Sequence, residues 1–488
     1  MKQLCVFLFI SLSQLLSAQP KTETRAVWIT VNYGLDWPKK PYQNSRDIEQ
    51  QKDELNKILD RLKETNINLI FLQTRIRGDV IYPSKIEPRS EFIKSFFAKV
   101  DYDPLAYAIE ACHERGIECH AWFVVYSMGV KTLNKQLNWN IAALDRNHLL
   151  KTYKKEMYLD PGNPETDTYI LSLIKEIVSN YDIDGIHLDY IRYPDVSTDF
   201  PDRDTYRWYG IGTSKDDWRR ANVNRLVYAI YDTIKSMKPW VQVSSSVLGL
   251  YQPVQGNGQN WTAYSSVYQD PVDWLSKGKQ DFIVPMTYYS GKTFYSAVND
   301  WISRVGNRFV VPGLGAFQME MKESGSNASV LLDQVNFSRE AKTQGNSFFR
   351  AAQLVNDLSN FGKKLRSHYY SAPALLPPLP WSNQTIPDTP TSLSAYTDDN
   401  MLLLIWETLP KKNNQSFFYN LYRSETFPVD IGNPKNLVAT RLTDNFFRLP
   451  IDNRIESGYY YIVTGFDRYH NESVGSKPVF YVTGDFKK

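Results

Sequence analysis

Short apolar runs rich in β-branched residues alternate with longer amphipathic stretches from residue 23 to about residue 360. The runs have the length of strands, and the stretches place apolar residues at helical spacing, as with Leu55, Leu59 and Leu62. A strand followed by a helix, repeated along the chain, is typical of a parallel sheet. We identify eight such runs, at residues 25–32, 67–75, 117–125, 183–191, 240–247, 281–289, 308–315 and 346–352.

Eight strand–helix pairs predict a closed (β/α)8 barrel, or TIM barrel, within residues 19–370. The alternative is an open doubly wound sheet, which would need a glycine-rich phosphate turn after its first strand. The sequence RAVWITVNYGLDWP, at residues 25–38, contains no such turn. The pattern therefore favours the barrel.

The amino terminus combines Lys2, an apolar run at residues 4–16 and a pair of small residues that ends at Ala18. This pattern is typical of a secretory signal peptide. We therefore expect residues 1–18 to be removed and the mature chain to be periplasmic or secreted. The apolar run is too short to predict a membrane span.

Charge and cysteine content exclude several classes of protein. The 56 Lys and Arg residues nearly balance the 53 Asp and Glu residues, so the chain has no overall field that would attract nucleic acid or an anionic membrane. Cys112 and Cys119 are the only cysteines outside the predicted signal, so at most one disulfide bond could stabilise the fold in addition to its hydrophobic core. Aromatic residues make up 14% of the chain, which suits surfaces that stack on sugars but also suits tyrosines on strand faces. The sequence does not indicate an oligomeric state.

The carboxy-terminal part has a different pattern. Residues 371–387 are rich in Pro and predict a stiff linker, and residues 388–488 contain short alternating strands at the spacing of a small β-sandwich. Trp406, Tyr422 and the ending YIVTGFDRYHNES resemble a fibronectin type III module. This resemblance implies a spacer or a docking surface, so we expect the barrel to bind its ligand without the module.

The carboxyl ends of barrel strands are where function is expected, and the period-two alternation of a strand predicts which side chains point inward. On the fourth strand, alternation places His187 and Asp189 inside the barrel, with Asp189 at the end. Because Asp is seldom buried without a partner, a carboxylate at this position predicts chemistry. Residues predicted to form the mouth around Asp189 are Asn32, Arg75, His120, Trp122, Tyr126, His187, Arg192, Tyr193 and Tyr288.

This set of side chains predicts a carbohydrate site, because aromatic faces stack on sugar rings while Arg, amide and carboxylate groups bind hydroxyls. Hydrolysis of a glycosidic bond usually requires two acidic groups. Asp189 is one candidate, and the second is expected from the loop after the second strand, where Asp79 and Glu87 are preferred. The alternative for these two is structural: Asp79 would cap a turn, and Glu87 would pair with Arg89.

Two rival enzyme classes are poorly supported. A zinc site would need clustered His residues, yet only His120 and His187 are predicted to reach the mouth, and no His-x-His or His-Glu-x-x-His motif occurs. We expect neither a metal nor another cofactor. The sequence SSSV on the fifth strand lacks the glycines of a nucleophile elbow. A barrel that binds sugar without cleaving it remains open, because no other strand end supplies a carboxylate.

The sequence resembles the bacterial glycosyl-hydrolase-like family 10, also known as domain of unknown function 187, over about residues 24–365. Four motifs carry the resemblance: AVWITVNYGLDWP, LIFLQTRIRGDVIYPSKIEPRSEF, DPLAYAIEACHERGIECHAWF and YLDPGNPETDTYILSLIKEIVSNYDIDGIHLDYIRYP. It implies a (β/α)8 barrel, export and glycoside hydrolysis, with peptidoglycan glycan strands as the substrate class. Many relatives carry two adjacent Asp residues in the fourth-strand motif, and here the second is Tyr190.

A weaker resemblance to family 18 chitinases rests on Asp184, Gly185, Asp189, Met286 and Tyr288. The proton-donating Glu of those enzymes would fall at Ile191, so their mechanism does not transfer. If the substrate carries N-acetyl groups, its acetamide could assist hydrolysis while Asp189 polarises it. The sequence leaves this alternative open.

Overall fold

The computed structural model describes residues 19–130, 144–145, 148–195, 199–254, 261–321, 325–398, 401–408, 417–451 and 458–482. The predicted signal peptide, residues 1–18, lies outside the described residues. Within these ranges the chain forms a closed barrel, a small sheet inserted after the third barrel strand, and two further sheets at the carboxy-terminal end.

Parallel strands form the barrel. The strands up to residue 348 are β1 Thr24–Ile29, β2 Leu69–Arg75, β3 Glu118–Val124, β4 Ser127–Val130, β5 Leu150–Tyr153, β6 Glu156–Leu159, β7 Gly185–Asp189, β8 Gln242–Leu248, β9 Phe282–Met286, β10 Phe309–Val310, β11 Gly313–Leu314 and β12 Gly345–Phe348. The barrel order is β1, β2, β3, β7, β8, β9, β10 with β11, and β12, and pairing of β12 with β1 closes it. The seventh strand is split at Pro312, which cannot donate a ladder hydrogen bond. Each predicted run overlaps an observed strand, and the predicted (β/α)8 barrel is confirmed.

Helices surround the barrel. They are α1 Ser45–Glu64, α2 Pro104–His113, α3 Pro164–Asn180, α4 Arg203–Tyr209, α5 Lys215–Met237, α6 Ala263–Ser266, α7 Pro271–Ser276, α8 Gly291–Arg304, α9 Ala328–Glu340, α10 Ala351–Val355 and α11 Phe361–Lys364. The side chain of Asn163 caps α3 by accepting the N–H of Glu165, and Pro164 occupies the first turn. No helix in the described ranges is long and apolar enough to cross a membrane.

Alternation along the strands divides the barrel core into two parts. Trp28, Phe71 and Trp122 point inward and form an inner core, whereas the apolar residues between them face the helices. Cys112 on α2 and Cys119 on β3 are both buried free thiols. Packing of the core therefore stabilises the barrel without a disulfide between these two residues.

The small sheet of β4, β6 and β5 is an insertion between β3 and α3. Its strands are antiparallel, and β5 and β6 form a hairpin in which Tyr153 pairs with Glu156. The N–H of Leu159 donates to the carbonyl of Tyr126, just after β3, over 2.9 Å. This contact holds the hairpin at the carboxyl end of the barrel strands.

The carboxy-terminal part is all-β, as predicted. Its strands are β13 Ser394–Asp398, β14 Met401–Ile405, β15 Phe418–Ser424, β16 Leu437–Leu442, β17 Phe446–Pro450, β18 Tyr459–Phe466 and β19 Val479–Tyr481. They form a three-stranded sheet in the order β13-β14-β17 and a four-stranded sheet in the order β16-β15-β18-β19. A shared core that includes Trp406, Leu421 and Val463 joins the two sheets. We call this part the carboxy-terminal module.

Buried charges attach the module to the amino-terminal end of the barrel, opposite Asp189. Arg441 donates to Glu118, the first residue of β3, and to Asp184, which precedes β7, over 2.8 Å in the second case. Nε2 of His470 lies 2.8 Å from the carboxylate of Glu118. Although burial opposes the charge on Glu118, His470 and Arg441 hold the pKa of this carboxyl well below its usual range.

The Pro-rich segment predicted as a linker packs against the barrel. Leu376 belongs to the inner barrel core, and the indole N–H of Trp381 donates to Asp281 over 2.9 Å. The guanidinium of Arg308 lies 4.2 Å from the centre of the Trp381 ring. These contacts close the amino-terminal end of the barrel. That the barrel binds its ligand without the module stays a prediction.

Candidate active site

Asp189 is the last residue of β7 and lies at the carboxyl end of the barrel, as alternation predicts. Its carboxylate accepts the indole N–H of Trp122 over 3.0 Å and the backbone N–H of Tyr190 over 2.7 Å. Only 6% of the residue is exposed. A buried carboxylate with two donors and no apolar packing role is typical of a functional group.

Burial raises the pKa of Asp189 above its usual value, because removal of water disfavours the charged form. Arg192, the backbone N–H of Tyr190 and the indole of Trp122 oppose this effect only in part. The carboxyl therefore holds its proton to higher pH than an exposed Asp. This property suits a proton donor in hydrolysis.

The two histidines predicted for the mouth lie deeper in the barrel. His187 contacts the hydroxyls of Ser244 and Ser246 at 2.9 and 2.8 Å, and burial holds its pKa well below the usual value. Nε2 of His120 lies 3.2 Å from Glu118, towards the amino-terminal end. Both histidines are completely buried, so they support the barrel floor beneath Asp189 and Trp122.

Arg75 does not point into the barrel, and this corrects our expectation. A register shift between Gln73 and Arg75 in the pairing of β2 with β3 reverses the alternation, so Arg75 lies on the outer side. There it forms two hydrogen bonds with Glu87, at 2.8 and 2.6 Å, and both side chains are completely buried. Tyr169 also donates to Glu87 over 2.7 Å. Glu87 therefore has a structural partner away from the mouth, although this partner is Arg75 and not Arg89.

Asp79 organises the loop after β2. Its carboxylate accepts the backbone N–H of Arg77 over 2.9 Å, and its carbonyl accepts the N–H of Ile76. Burial raises the pKa of Asp79. The hydrogen bonds described for Asp79 lie within its own loop, so they give no support for pairing this carboxylate with Asp189.

Tyr126 and Tyr193, both predicted to bind substrate, are almost completely buried. Tyr126 belongs to the outer core between the barrel and its helices. Tyr193 packs edge-on against Phe200 and Tyr268, with ring centres 5.3 Å apart in each pair. The Tyr126 ring therefore contributes packing behind the mouth, whereas Tyr193 also lines the cavity beside Asp189. Period-two counting does not apply to Tyr126, because it lies beyond the end of β3.

Asn32, Arg192 and Tyr288 do lie at the mouth. The side-chain oxygen of Asn32 accepts from Arg77 over 2.9 Å, and Arg192 pairs with Asp195 and lies 4.8 Å from the centre of the Tyr190 ring. The ring centre of Tyr288 lies 6.0 Å from that of Phe349, which lies 6.3 Å from that of Trp122, the donor to Asp189. Arg192 and Tyr288 thus accompany Trp122 around Asp189.

A cavity of about 450 Å³ begins at the residue that follows Asp189. One wall is the loop after β7, and the other is the β5–β6 hairpin. Its lining residues are Tyr153, Lys154, Lys155, Glu156, Tyr158, Tyr190, Arg192, Tyr193, Pro194 and Asp195. Sequence reasoning missed the hairpin, although the segment LKTYKKEMYL shows short alternation that could have identified it. In the described part of the chain, no group of three or more His, Cys, Asp or Glu residues is placed to hold a metal ion.

Comparison with known proteins identifies the family. The profile of glycosyl hydrolase-like 10 matches residues 23–313, which span the first seven barrel strands. The chain belongs to the glycosyl hydrolase-like 10 family. Glycosyl hydrolase YngK of Bacillus subtilis is 33% identical over 494 residues, which cover 96% of this chain and 95% of YngK.

Other comparisons agree with this assignment. Glycosyl hydrolase DigH of Escherichia coli K12 is 34% identical over 295 residues, which cover 56% of this chain and 66% of DigH. The glycoside hydrolase domain of PgaB from Bordetella bronchiseptica superposes with a TM-score of 0.52, covering 72% of this chain and 99% of that domain. At 14% identity, this last similarity concerns the fold alone. The glycosyl hydrolase-like 10 barrel is thus a glycosidase-type barrel.

Proposed function

We propose that this chain is an exported glycoside hydrolase, with Asp189 as the central carboxylate of its active site. The observation that carries the proposal is the position of Asp189 at the end of the fourth barrel strand, held by Trp122 beside a cavity large enough for a sugar ring. Its raised pKa favours a role as the acid that protonates the glycosidic oxygen. Arg192 and Tyr288 then contact the sugar.

The substrate we propose is a bacterial polysaccharide, in first place the glycan strands of peptidoglycan. The family resemblance supports this choice, and so does the predicted signal peptide, which would bring the chain to the cell wall. The order of the two carboxy-terminal sheets, with three and four antiparallel strands, supports assignment of the module as fibronectin type III.

A carbohydrate-binding barrel without catalysis is the second candidate function. It is favoured by one observation, which is that Glu87, a predicted second carboxylate, is held by Arg75 and Tyr169 away from the mouth. Glu156 and Asp195 line the adjacent cavity, and they are therefore our candidates for the second group. Hydrolysis without a second carboxylate would require a neighbouring acetamide of the substrate.

Release of reducing ends from purified glycan strands distinguishes the two functions. We expect the wild-type protein to release them and Asp189→Asn to lose the activity by several orders of magnitude, while its thermal unfolding stays close to wild type. Asp60→Asn is the matched control, because Asp60 lies at the surface and pairs with Arg115, far from Asp189 in the fold. Binding of glycan by the wild-type protein without release of any reducing end would instead establish the binding function.

A further inference from the structure

We propose that the cavity beside Asp189 is a subsite for a sugar that carries a carboxylate, an inference that rests on the proposed glycoside hydrolysis. The cavity lies between the loop after β7 and the β5–β6 hairpin. Its volume of about 450 Å³ is within the range of small-molecule sites. A sugar next to the glycosidic bond whose oxygen Asp189 protonates would therefore enter it.

Tyr190 provides the apolar surface for this sugar. It has a backbone φ of 49°, which is costly for a bulky side chain and persists only where surrounding contacts impose it. The contacts are its N–H bond to Asp189 and the stacking of its ring on Arg192, 4.8 Å away. Because 43% of Tyr190 remains exposed, its ring is available to stack on a pyranose.

The charges of the cavity favour an anion. Arg192 neutralises Asp195, whereas Glu156 accepts only the neutral hydroxyl of Tyr158 and keeps its charge, so Lys154 and Lys155 leave the lining with one net positive charge. Lys154 and Lys155 lie at the exposed turn of the hairpin, and neither forms an ion pair with any residue that the structure describes. The ammonium of Lys154 lies 5.2 Å from the centre of the Tyr153 ring, at the rim. These two positive charges are therefore available to a ligand.

Arg192 adds a second, buried donor. It is only 6% exposed, and its Nε has no hydrogen-bond partner among the described residues. Protein atoms cover this N–H, so a ligand carboxylate in the cavity would reach it only after the guanidinium turns, and it would then gain a charge-assisted hydrogen bond. The guanidinium of Arg192 also lies 5.9 Å from the centre of the Trp261 ring. This contact helps to hold the orientation of the guanidinium.

The carboxylate could belong to either of two sugars. In N-acetylmuramic acid a lactyl ether carries it, and in a uronic acid it is C6 itself, attached to ring carbon C5. Both present one negative charge beside an apolar ring face. The shared chemistry is thus a pyranose carboxylate, and the experiment has one arm for each source.

The test compares three oligosaccharides of matched length: neutral N-acetylglucosamine oligomers, alternating N-acetylglucosamine and N-acetylmuramic acid, and alternating N-acetylglucosamine and glucuronic acid. The variant is Lys154→Ala with Lys155→Ala. We expect KM to rise about fivefold or more on the acidic substrate that the wild type prefers, with unchanged kcat, since two exposed ion pairs are removed. KM on the neutral oligomer should stay within about twofold, and ~0.5 M salt should abolish the difference on the acidic substrate.

The control variant is Lys57→Ala with Lys435→Ala, which removes the same charge from exposed positions on α1 and the module. An equal change of KM on neutral and acidic oligomers, or no change on any, would overturn the subsite while leaving the hydrolase intact. If the wild type cleaves none of the three, the proposed function fails. Calorimetric affinities of the same oligomers for the wild type and the lysine variant then decide the subsite alone.

Discussion

The indole Nε1 of Trp122 lies 3.0 Å from Oδ2 of Asp189 and donates a hydrogen bond to it. The two residues belong to adjacent parallel strands, β3 and β7, where Val124 pairs with Asp189. The donor stabilises the ionised carboxylate, whereas burial disfavours it, and burial is the larger effect. Arg192, the backbone N–H of Tyr190 and Trp122 thus together limit how far the pKa of Asp189 rises.

Trp122→Phe should move the pKa of Asp189 further upward, because the variant loses a donor to the charged form. The limb of the pH–rate profile that Asp189 controls should shift to higher pH, whether the group acts as acid or as base. Trp28→Phe is the matched control, since the Trp28 indole donates to His187 over 3.1 Å and not to Asp189. An equal shift in both variants would contradict this role for Trp122.

Glu87→Gln should destabilise the protein without removing its chemistry. The change leaves the buried Arg75 without its full countercharge, and we expect a loss of roughly 3 kcal/mol in the free energy of unfolding. The measurement is urea unfolding together with kcat per folded molecule, with exposed Glu91→Gln from the same loop as control. A stable Glu87→Gln protein with kcat lowered by orders of magnitude would show that Glu87 has a catalytic role.

Arg441→Met should weaken the contact between module and barrel. Glu118 and Asp184 would lose their shared cation in a buried site, and breaking such a pair costs about 3–5 kcal/mol. Denaturant unfolding of this variant and of exposed Lys435→Met provides the comparison. Equal midpoints for the two variants would show that the buried pair contributes nothing to stability.

His470 makes the same contact dependent on pH. Although burial opposes protonation, Glu118 raises the pKa of His470 above its usual value. Because the folded protein binds this proton more tightly than the unfolded chain does, protonation of His470 stabilises the fold. The stabilisation is complete below the pKa of His in the unfolded chain, about 6.5, and it is lost as the pH rises through the pKa of His470 in the folded protein. We therefore expect the difference in melting temperature between wild type and His470→Gln to be largest below about pH 6.5 and to shrink at higher pH.

The exposed His368→Gln serves as control for that series and should show no such trend. His187 acts in the opposite sense, because its lowered pKa makes the fold less stable as the pH falls below about 6.5. This contribution is common to wild type and His470→Gln, so it cancels in their difference. A difference that grows towards alkaline pH would mean that His470 is neutral in the folded protein.

Removal of residues 391–488 should lower the melting temperature of the barrel. Leu375 packs with Phe418, Tyr422 and Ile462 of the module, so the truncation exposes apolar surface and uncovers Glu118. Thermal unfolding and light scattering of the truncated chain measure the effect. A truncated barrel that has the same melting temperature as the full chain and stays monodisperse would show that the module is dispensable for folding.

The amino-acid pattern alone determined the barrel and the position of Asp189. Both follow from local periodicity: β-branched runs at strand length specify the strands, and a side-chain period of two places Asp189 and Trp122 inside. The family motifs also predicted the barrel and the position of Asp189, over about residues 24–365. Local rules suffice here because each strand has one face on the inner core and one on the helices.

Tertiary structure decided what local rules could not. The bulge before Arg75 turned that side chain outward to Glu87, and a shift of one residue in register leaves no mark in the composition. The cavity beside Asp189 depends on a hairpin that is folded back over the barrel, and the contact of Arg441 with Glu118 joins residues 323 positions apart. Such contacts are set by packing of distant segments, so periodicity in the chain cannot encode them.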